Sequence, residues 1–120
     1  MKVIVNVTKS FKRLAKPLLK KFSSLNKELS KLENDLIENP QLGKPLGHNA
    51  FKIRLAVESK GKGKSGGLRV ISHLNTEIIC EIEKGEEILI VTLIAIYDKS
   101  ETASISDKEL SNLINRIQHD

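Results

Sequence analysis

Lys52 and Arg54 stand two residues apart in the run AFKIRLAVE, and Arg69 follows after a basic, glycine-rich turn. Side chains two apart on a strand share a face. If the segments flanking the turn pair with each other, Lys52, Arg54 and Arg69 converge and can hold one phosphate. Arginine grips phosphate oxygens with two parallel N–H donors, and lysine adds a compact charge. Crowded cations also lower the pKa of a lysine among them, because each neighbour disfavours a further positive charge. Such a lysine can serve as a general base near neutral pH. RNA brings its own nucleophile, the 2′-hydroxyl. On chemistry alone two readings stay open: cations that only bind phosphate, and cations that cleave RNA.

The charge of the chain is concentrated around these residues. The 120 residues hold 20 Lys and Arg against 15 Asp and Glu, a net of +5. Ala50 to Arg69 holds six cations (Lys52, Arg54, Lys60, Lys62, Lys64, Arg69) and one anion (Glu58), also +5. Everything outside this stretch is therefore neutral. A focused positive patch points to a polyanionic partner, with nucleic acid first. Aromatic residues make up only 3% of the chain, so a stacking platform for single-stranded bases is not expected.

Other chemistries find little support. Gly63-Lys64-Ser65 resembles the end of a phosphate-binding P-loop, but the glycine that motif requires at position 58 is Glu58, and a strand pattern follows where a helix should. His48, His73 and His119 are scattered and no carboxylate pair has ligand spacing, so no metal site and no cofactor are expected. The single Cys80 excludes an internal disulfide framework and suits a reducing compartment. It lies in an alternating apolar segment and reads as a small buried hydrophobe. No apolar run approaches the roughly 18 residues a bilayer span needs. The start, MKVIVNVTKSF, lacks the pattern of a secretory signal. A cytoplasmic protein of one domain, residues 1–120, with no membrane partner is the expectation.

The elements that must position the cations read as follows. Val3, Val5 and Val7 alternate through Lys2 to Thr8, which predicts a short edge strand. Thr8 and Ser10 are helix cap candidates. Phe11, Leu14, Ala15, Leu18, Leu19 and Phe22 trace one face of a helix, with Lys12, Arg13, Lys16, Lys20 and Lys21 opposite. Pro17 is expected to kink or break it near Lys16. Leu25, Leu29, Leu32 and Leu36, with Ile37 beside them, predict a second helix that stops at Asn39, ahead of Pro40. Pro40 to Asn49 reads as a loop holding His48. Phe51 to Glu58 alternates as a half-buried strand with Lys52 and Arg54 outward. Lys60 to Gly67 is a turn, and Leu68 to Leu74 a strand that runs on through Ile78 to Glu83. Arg69 and His73 share one face of it. Lys84 to Glu87 reads as a hairpin turn, and the almost wholly apolar run Ile88 to Ile96 as the central strand. Tyr97, Asp98 and Lys99 lie where that strand leaves the core. Ser106 and Glu109 form a capping box ahead of a last helix with Leu110, Leu113, Ile114 and Ile117 on its apolar face. The pattern β-α-α-β-β-β-α predicts an α+β fold: an antiparallel sheet, two helices packed on one face and a short C-terminal helix.

Four stretches then resemble one family: Asn39-Pro40-x-Leu42-Gly43; Phe51-Lys52-Ile53-Arg54-Leu55-Ala56; Lys60-Gly61-Lys62-Gly63-Lys64-Ser65-Gly66-Gly67-x-Arg69-Val70-Ile71; and Ile94-x-Ile96-Tyr97-x-Lys99-x-Glu101. Their order and spacing are similar to those of the RelE/HigB-like toxins of bacterial toxin–antitoxin modules, in the RelE/ParE superfamily. The resemblance covers Asn39 onward, with the helical first third matching in pattern only. It implies a microbial-ribonuclease-like fold, ribosome-dependent cleavage of mRNA without a metal, and inhibition by a cognate antitoxin, expected to be a helix-turn-helix protein. It also implies roles. Lys52, Arg54, Arg69 and Lys99 fall on the family's catalytic cations. Lys60, Lys62 and Lys64 fall on the basic turn that holds RNA backbone. The family's base-stacking aromatic near the C-terminus is replaced here by Ile105, so either base stacking is weaker or His73 or Tyr97 takes that part. Two other functions are compatible with the scaffold: a non-catalytic inhibitor of gyrase, as in the ParE branch, and a plain basic module that binds RNA or ribosome.

Overall fold

A computed structural model of the protein describes residues 2–61, 66–81, 84–102 and 104–117. Five strands and three helices follow in the order β1 (Lys2–Val7), α1 (Lys9–Lys21), α2 (Leu25–Glu38), β2 (Lys44–Gly47), β3 (Ala50–Leu55), β4 (Leu68–Glu81), β5 (Lys84–Asp98) and α3 (Asp107–Asn115). The strands form one sheet in the order β1-β5-β4-β3-β2. The α+β class stands, but the sheet is mixed and not antiparallel throughout. β1 runs parallel to β5, while the other three pairings are antiparallel. Alternation of apolar residues reads the same for either direction. Direction is set by α1 and α2, which carry the chain out and back so that β2 starts antiparallel to β1. Three hairpin reversals then bring β5 round to parallel.

The helices bury a narrower stripe than their apolar residues suggest. Thr8 caps α1, its Oγ1 accepting from the Phe11 N–H at 3.0 Å. Phe11, Ala15, Leu18 and Phe22 are buried, whereas Leu14 and Leu19 are 42% and 38% exposed. In α2, Leu25, Leu32 and Leu36 are buried and Ile37 is exposed. Pro17 does not break α1, which continues to Lys21. The carbonyl that loses its donor is that of Arg13, and both Arg13 and Pro17 face water, which can satisfy it. The buried residues of α1 and α2 join Ile53, Leu55, Leu68, Val70, Val91 and Ile96 in one apolar cluster. Each such fully buried side chain stabilises by about 1.5–3 kcal/mol.

Three boundaries and the central strand differ from the sequence pattern. The stretch expected as a loop contains β2, paired to β3 through a two-residue turn in which His48 and Asn49 have φ of 55° and 60°. Those values suit the right-handed twist of a tight hairpin. β3 stops at Leu55, short of Glu58, and Glu58–Lys60 winds one 3-10 turn. There the helix junction captures the chain: the Glu58 N–H donates to Glu28 Oε2 at 2.6 Å and the Ser59 N–H to Ser24 Oγ at 3.0 Å. β5 begins at Lys84, so the stretch expected as a turn at Lys84 to Glu87 is already strand. β4 takes the middle of the sheet, with β5 beside it between β1 and β4.

A register shift gives the sheet two different faces near the site. Ile71 pairs with Ala95 but Ser72 pairs with Leu93, so Ile94 is one extra residue on β5. The insertion swaps the alternation. Val91, Leu93 and Ile96 join the cluster with α1 and α2, while Ile94 and Ala95 join a second cluster with Ile71 and Leu110 of α3. Ser106 Oγ caps α3, accepting from the Glu109 N–H at 3.2 Å and donating to Glu109 Oε1 at 3.1 Å.

Candidate active site

The register of three strands assembles the cations. Arg54 of β3 lies opposite Arg69 of β4, and Arg69 lies opposite Tyr97 of β5. One step along the sheet, Lys44 of β2 lies opposite Lys52 of β3, which lies opposite Ile71. One further step, Ala50 lies opposite His73. Residues directly opposite on antiparallel strands point to the same face, with Cβ atoms about 4.5–5.5 Å apart. Lys44, Lys52, Arg54, Arg69, His73 and Tyr97 therefore share one face, the one α3 packs on. Ile53, Leu55, Leu68 and Val70 point the other way, into the cluster beneath α1 and α2.

Electrostatics confirm how closely the cations gather. The Lys52 ammonium is held below its ordinary pKa, first by partial loss of water and then by the charges of Lys44, Arg69, Arg54 and Lys99. Arg54 and Lys99 are exposed, whereas Arg69 is 3% exposed and its Nη1 donates to the Leu68 carbonyl at 3.2 Å. Burial lowers the His73 pKa, disfavouring its charged imidazolium form. Burial raises the Tyr97 phenol, a shift that Arg69 partly opposes. The Tyr97 hydroxyl is buried without a protein hydrogen-bond partner among the described residues. Like charges set opposite each other destabilise a sheet. Facing Arg54 and Arg69 therefore repel each other across the strands.

Of the residues singled out by sequence, Lys52, Arg54, Arg69, His73 and Tyr97 share this face, with Lys99 at its rim. Lys60 does not join them. Its ammonium is buried in an ion pair with Asp98 and lies 5.9 Å from the centre of the Phe22 ring, on the helix side of the sheet. Lys62 and Lys64 lie outside the described residues. Sequence reasoning passed over Lys44. The signal was there in Gly47-His48-Asn49-Ala50, two residues tolerant of positive φ between extended segments, which marks a hairpin and so sets Lys44 beside Lys52. Gly43 seats that hairpin. Its φ is 106°, and a Cβ there would come within 2.6 Å of the Lys52 carbonyl oxygen. The outer edge of the cations opens on a groove of about 610 Å³ between α2 and β3, with Lys44, Lys52 and Arg54 on one side and Glu28 and Asp35 on the other.

Among the described residues, no group of three or more His, Cys, Asp or Glu is placed to hold a metal, and no helix is long and apolar enough to cross a membrane.

Comparison with known proteins identifies the scaffold. A solved structure of the E. coli toxin RelE, a mutant with two arginines replaced by alanine and in the free state, superposes with a TM-score of 0.52. The alignment covers 98% of this chain and 99% of that one, at 21% sequence identity. The chain has a RelE-like fold. No family model matches the sequence, and no curated protein does. The RelE-like fold thus agrees with the architecture that the sequence resemblance implied, across nearly the whole chain.

Proposed function

We propose that this protein is a ribosome-dependent mRNA endonuclease, the toxin of a toxin–antitoxin pair. The observation that carries the reading is the strand register that sets Lys44 beside Lys52 and Arg54 opposite Arg69 on a RelE-like scaffold, where the Lys52 ammonium is held below its ordinary pKa by partial loss of water and then by Lys44, Arg69, Arg54 and Lys99. The deprotonated Lys52 amine takes the proton of an RNA 2′-hydroxyl. The 2′-oxygen attacks the adjacent phosphorus. Arg54 and Arg69 clamp the phosphate and the charge that builds on its oxygens. The bond from phosphorus to the 5′-oxygen breaks, and Lys99 returns a proton to that oxygen. The products are a 2′,3′-cyclic phosphate and a 5′-hydroxyl. His73 or Tyr97 takes the part of the base-contacting residue, and Lys62 and Lys64 hold RNA backbone. The reading makes the protein a cytoplasmic one, with the ribosome and translated mRNA as targets. A cognate antitoxin, expected to be a helix-turn-helix protein, would neutralise the cationic face with carboxylates.

The test uses purified protein in a translating extract. Cleavage of mRNA during translation, ending in cyclic phosphate, with naked RNA left largely intact, is the expected result. Ribosome binding without cleavage products would make the protein a basic binding module. Inhibition of gyrase supercoiling without cleavage would place it with the ParE branch.

A further inference from the structure

The ion pair of Lys60 and Asp98 joins two ends of the candidate site from behind. Asp98 is the last residue of β5, between Tyr97 and Lys99. Its side chain is 2% exposed and that of Lys60 is 10% exposed. The register sets Asp98 opposite Leu68, on the helix side, so the pair lies behind the row of Arg54, Arg69 and Tyr97. Asp98 Oδ1 also accepts from the Ser100 N–H at 3.0 Å and from the Ser100 hydroxyl at 2.8 Å. The Asp98 carbonyl accepts from the N–H groups of Glu101 and Thr102 at 3.0 and 2.9 Å. These bonds fix the turn that carries Lys99. At the other end, Lys60 closes the 3-10 turn from which the basic turn departs. That 3-10 turn is itself tied to α2 through Ser24–Ser59 and Glu28–Glu58.

We propose that Lys60 and Asp98 are positioning residues, whose pairing holds Lys99 and Tyr97 in place against Lys52, Arg54 and Arg69 and fixes where the basic turn leaves the sheet. The consequence for catalysis rests on the nuclease reading; the geometry does not. Removing Lys60 leaves the buried Asp98 carboxylate with its Ser100 hydrogen bonds but no countercharge, and removing the Asp98 charge leaves the Lys60 ammonium without its carboxylate partner, each of which costs stability. The turn after β5 then loosens, and Lys99 moves away from Lys52. After partial loss of water, the charges of Lys44, Arg69, Arg54 and Lys99 act on Lys52, so a withdrawal of Lys99 registers on Lys52 itself.

The experiment compares the full-length wild type with Asp98→Asn, Lys60→Met and Lys60→Arg. One arm measures kcat and KM for cleavage of ribosome-bound mRNA. The other follows the Lys52 ammonium titration by NMR with isotope-labelled lysine. Asp98→Asn and Lys60→Met are expected to lower kcat on the order of tenfold to a hundredfold, with KM changed by less than about twofold. In both, Lys52 is expected to titrate at higher pH than in the wild type, with Asp98→Asn the deciding case because loss of its carboxylate alone would move Lys52 down, and Lys60→Arg keeps most of the activity. Asp98→Asn separates the possibilities by sign, because it deletes a negative charge beside a polyanion site. If charge count alone mattered, it would tighten RNA binding and leave kcat alone. That outcome, or an Asp98→Asn protein whose Lys52 titration stays in place or moves down, overturns the proposal. So does a Lys60→Met protein that binds RNA more weakly at unchanged kcat, which would make Lys60 an RNA contact. Circular dichroism checks folding; should Lys60→Met fail to fold, Asp98→Asn and Lys60→Arg decide alone. A wild type that cleaves nothing would sink the nuclease reading, while the Lys52 titration would still decide the positioning.

Discussion

The two faces of the paired stretch of β3 and β4, Ala50–Leu55 against Leu68–His73, do opposite work. Toward α1 and α2, Ile53, Leu55, Leu68 and Val70 are buried at 8% exposure or less and join a continuous apolar cluster. Toward the other side, Lys52, Arg54 and Arg69 are set against one another and against Lys44, with their charges unfavourably close. One face gains free energy from burial. The other spends some of it on like charges. The alternation of a strand lets both occur within six residues. The difference teaches that substitutions on the two faces should move different observables, and in stability they should move in opposite directions.

The largest stability loss is expected from Leu68→Ala. Leu68 is 0% exposed, and its truncation leaves a cavity in the shared cluster. Urea denaturation should show a loss of about 2–5 kcal/mol. Acid should act next, through Asp98. Burial would raise its carboxyl pKa, but the Lys60 ammonium and the N–H and O–H of Ser100 outweigh this and hold it at about 2, against an ordinary 3.8. A depressed carboxyl contributes stability that is present above its unfolded-state pKa and lost as pH falls through its folded-state pKa. Melting temperature should therefore fall between about pH 4 and pH 2, and Asp98→Asn should flatten that part of the curve. Gly43→Ala should cost about 1–3 kcal/mol, because only glycine suits its φ and β2 must shift off Lys52 to admit a Cβ. The smallest effect has the opposite sign. Arg54→Gln relieves a facing like-charge pair and should stabilise by about 0.2–1 kcal/mol in the same denaturation assay, even as it lowers cleavage. A loss of stability there would break the contrast between the faces.

Much of this was legible in the sequence because strand alternation is. Lys52, Arg54 and Arg69 on one face, and Ile53, Leu55 and Val70 on the other, follow from a period of two and one pairing. The caps at Thr8 and Ser106 were legible because their chemistry is local. Other features depend on partners distant in the chain. The exposure of Leu14 and Leu19 depends on how much of α1 the sheet can cover. The direction of β1 depends on the helical pair that follows it. Lys60 is the sharpest case. In sequence it belongs to a basic turn; in the fold it reaches Asp98, thirty-eight residues on, and no local pattern marks that pairing. The extra residue at Ile94 was equally silent, since an unbroken apolar run hides a change of face.

The central claim, that the cationic face is a ribonuclease site with Lys52 as its base, is tested most directly by Lys52→Ala in a translating extract. Lys52 is half-buried and belongs to neither apolar cluster, so the variant should melt at or above the wild-type temperature. Cleavage of translated mRNA should fall by about 10²–10⁴-fold. A variant that folds as well as the wild type and cleaves as fast would contradict the account.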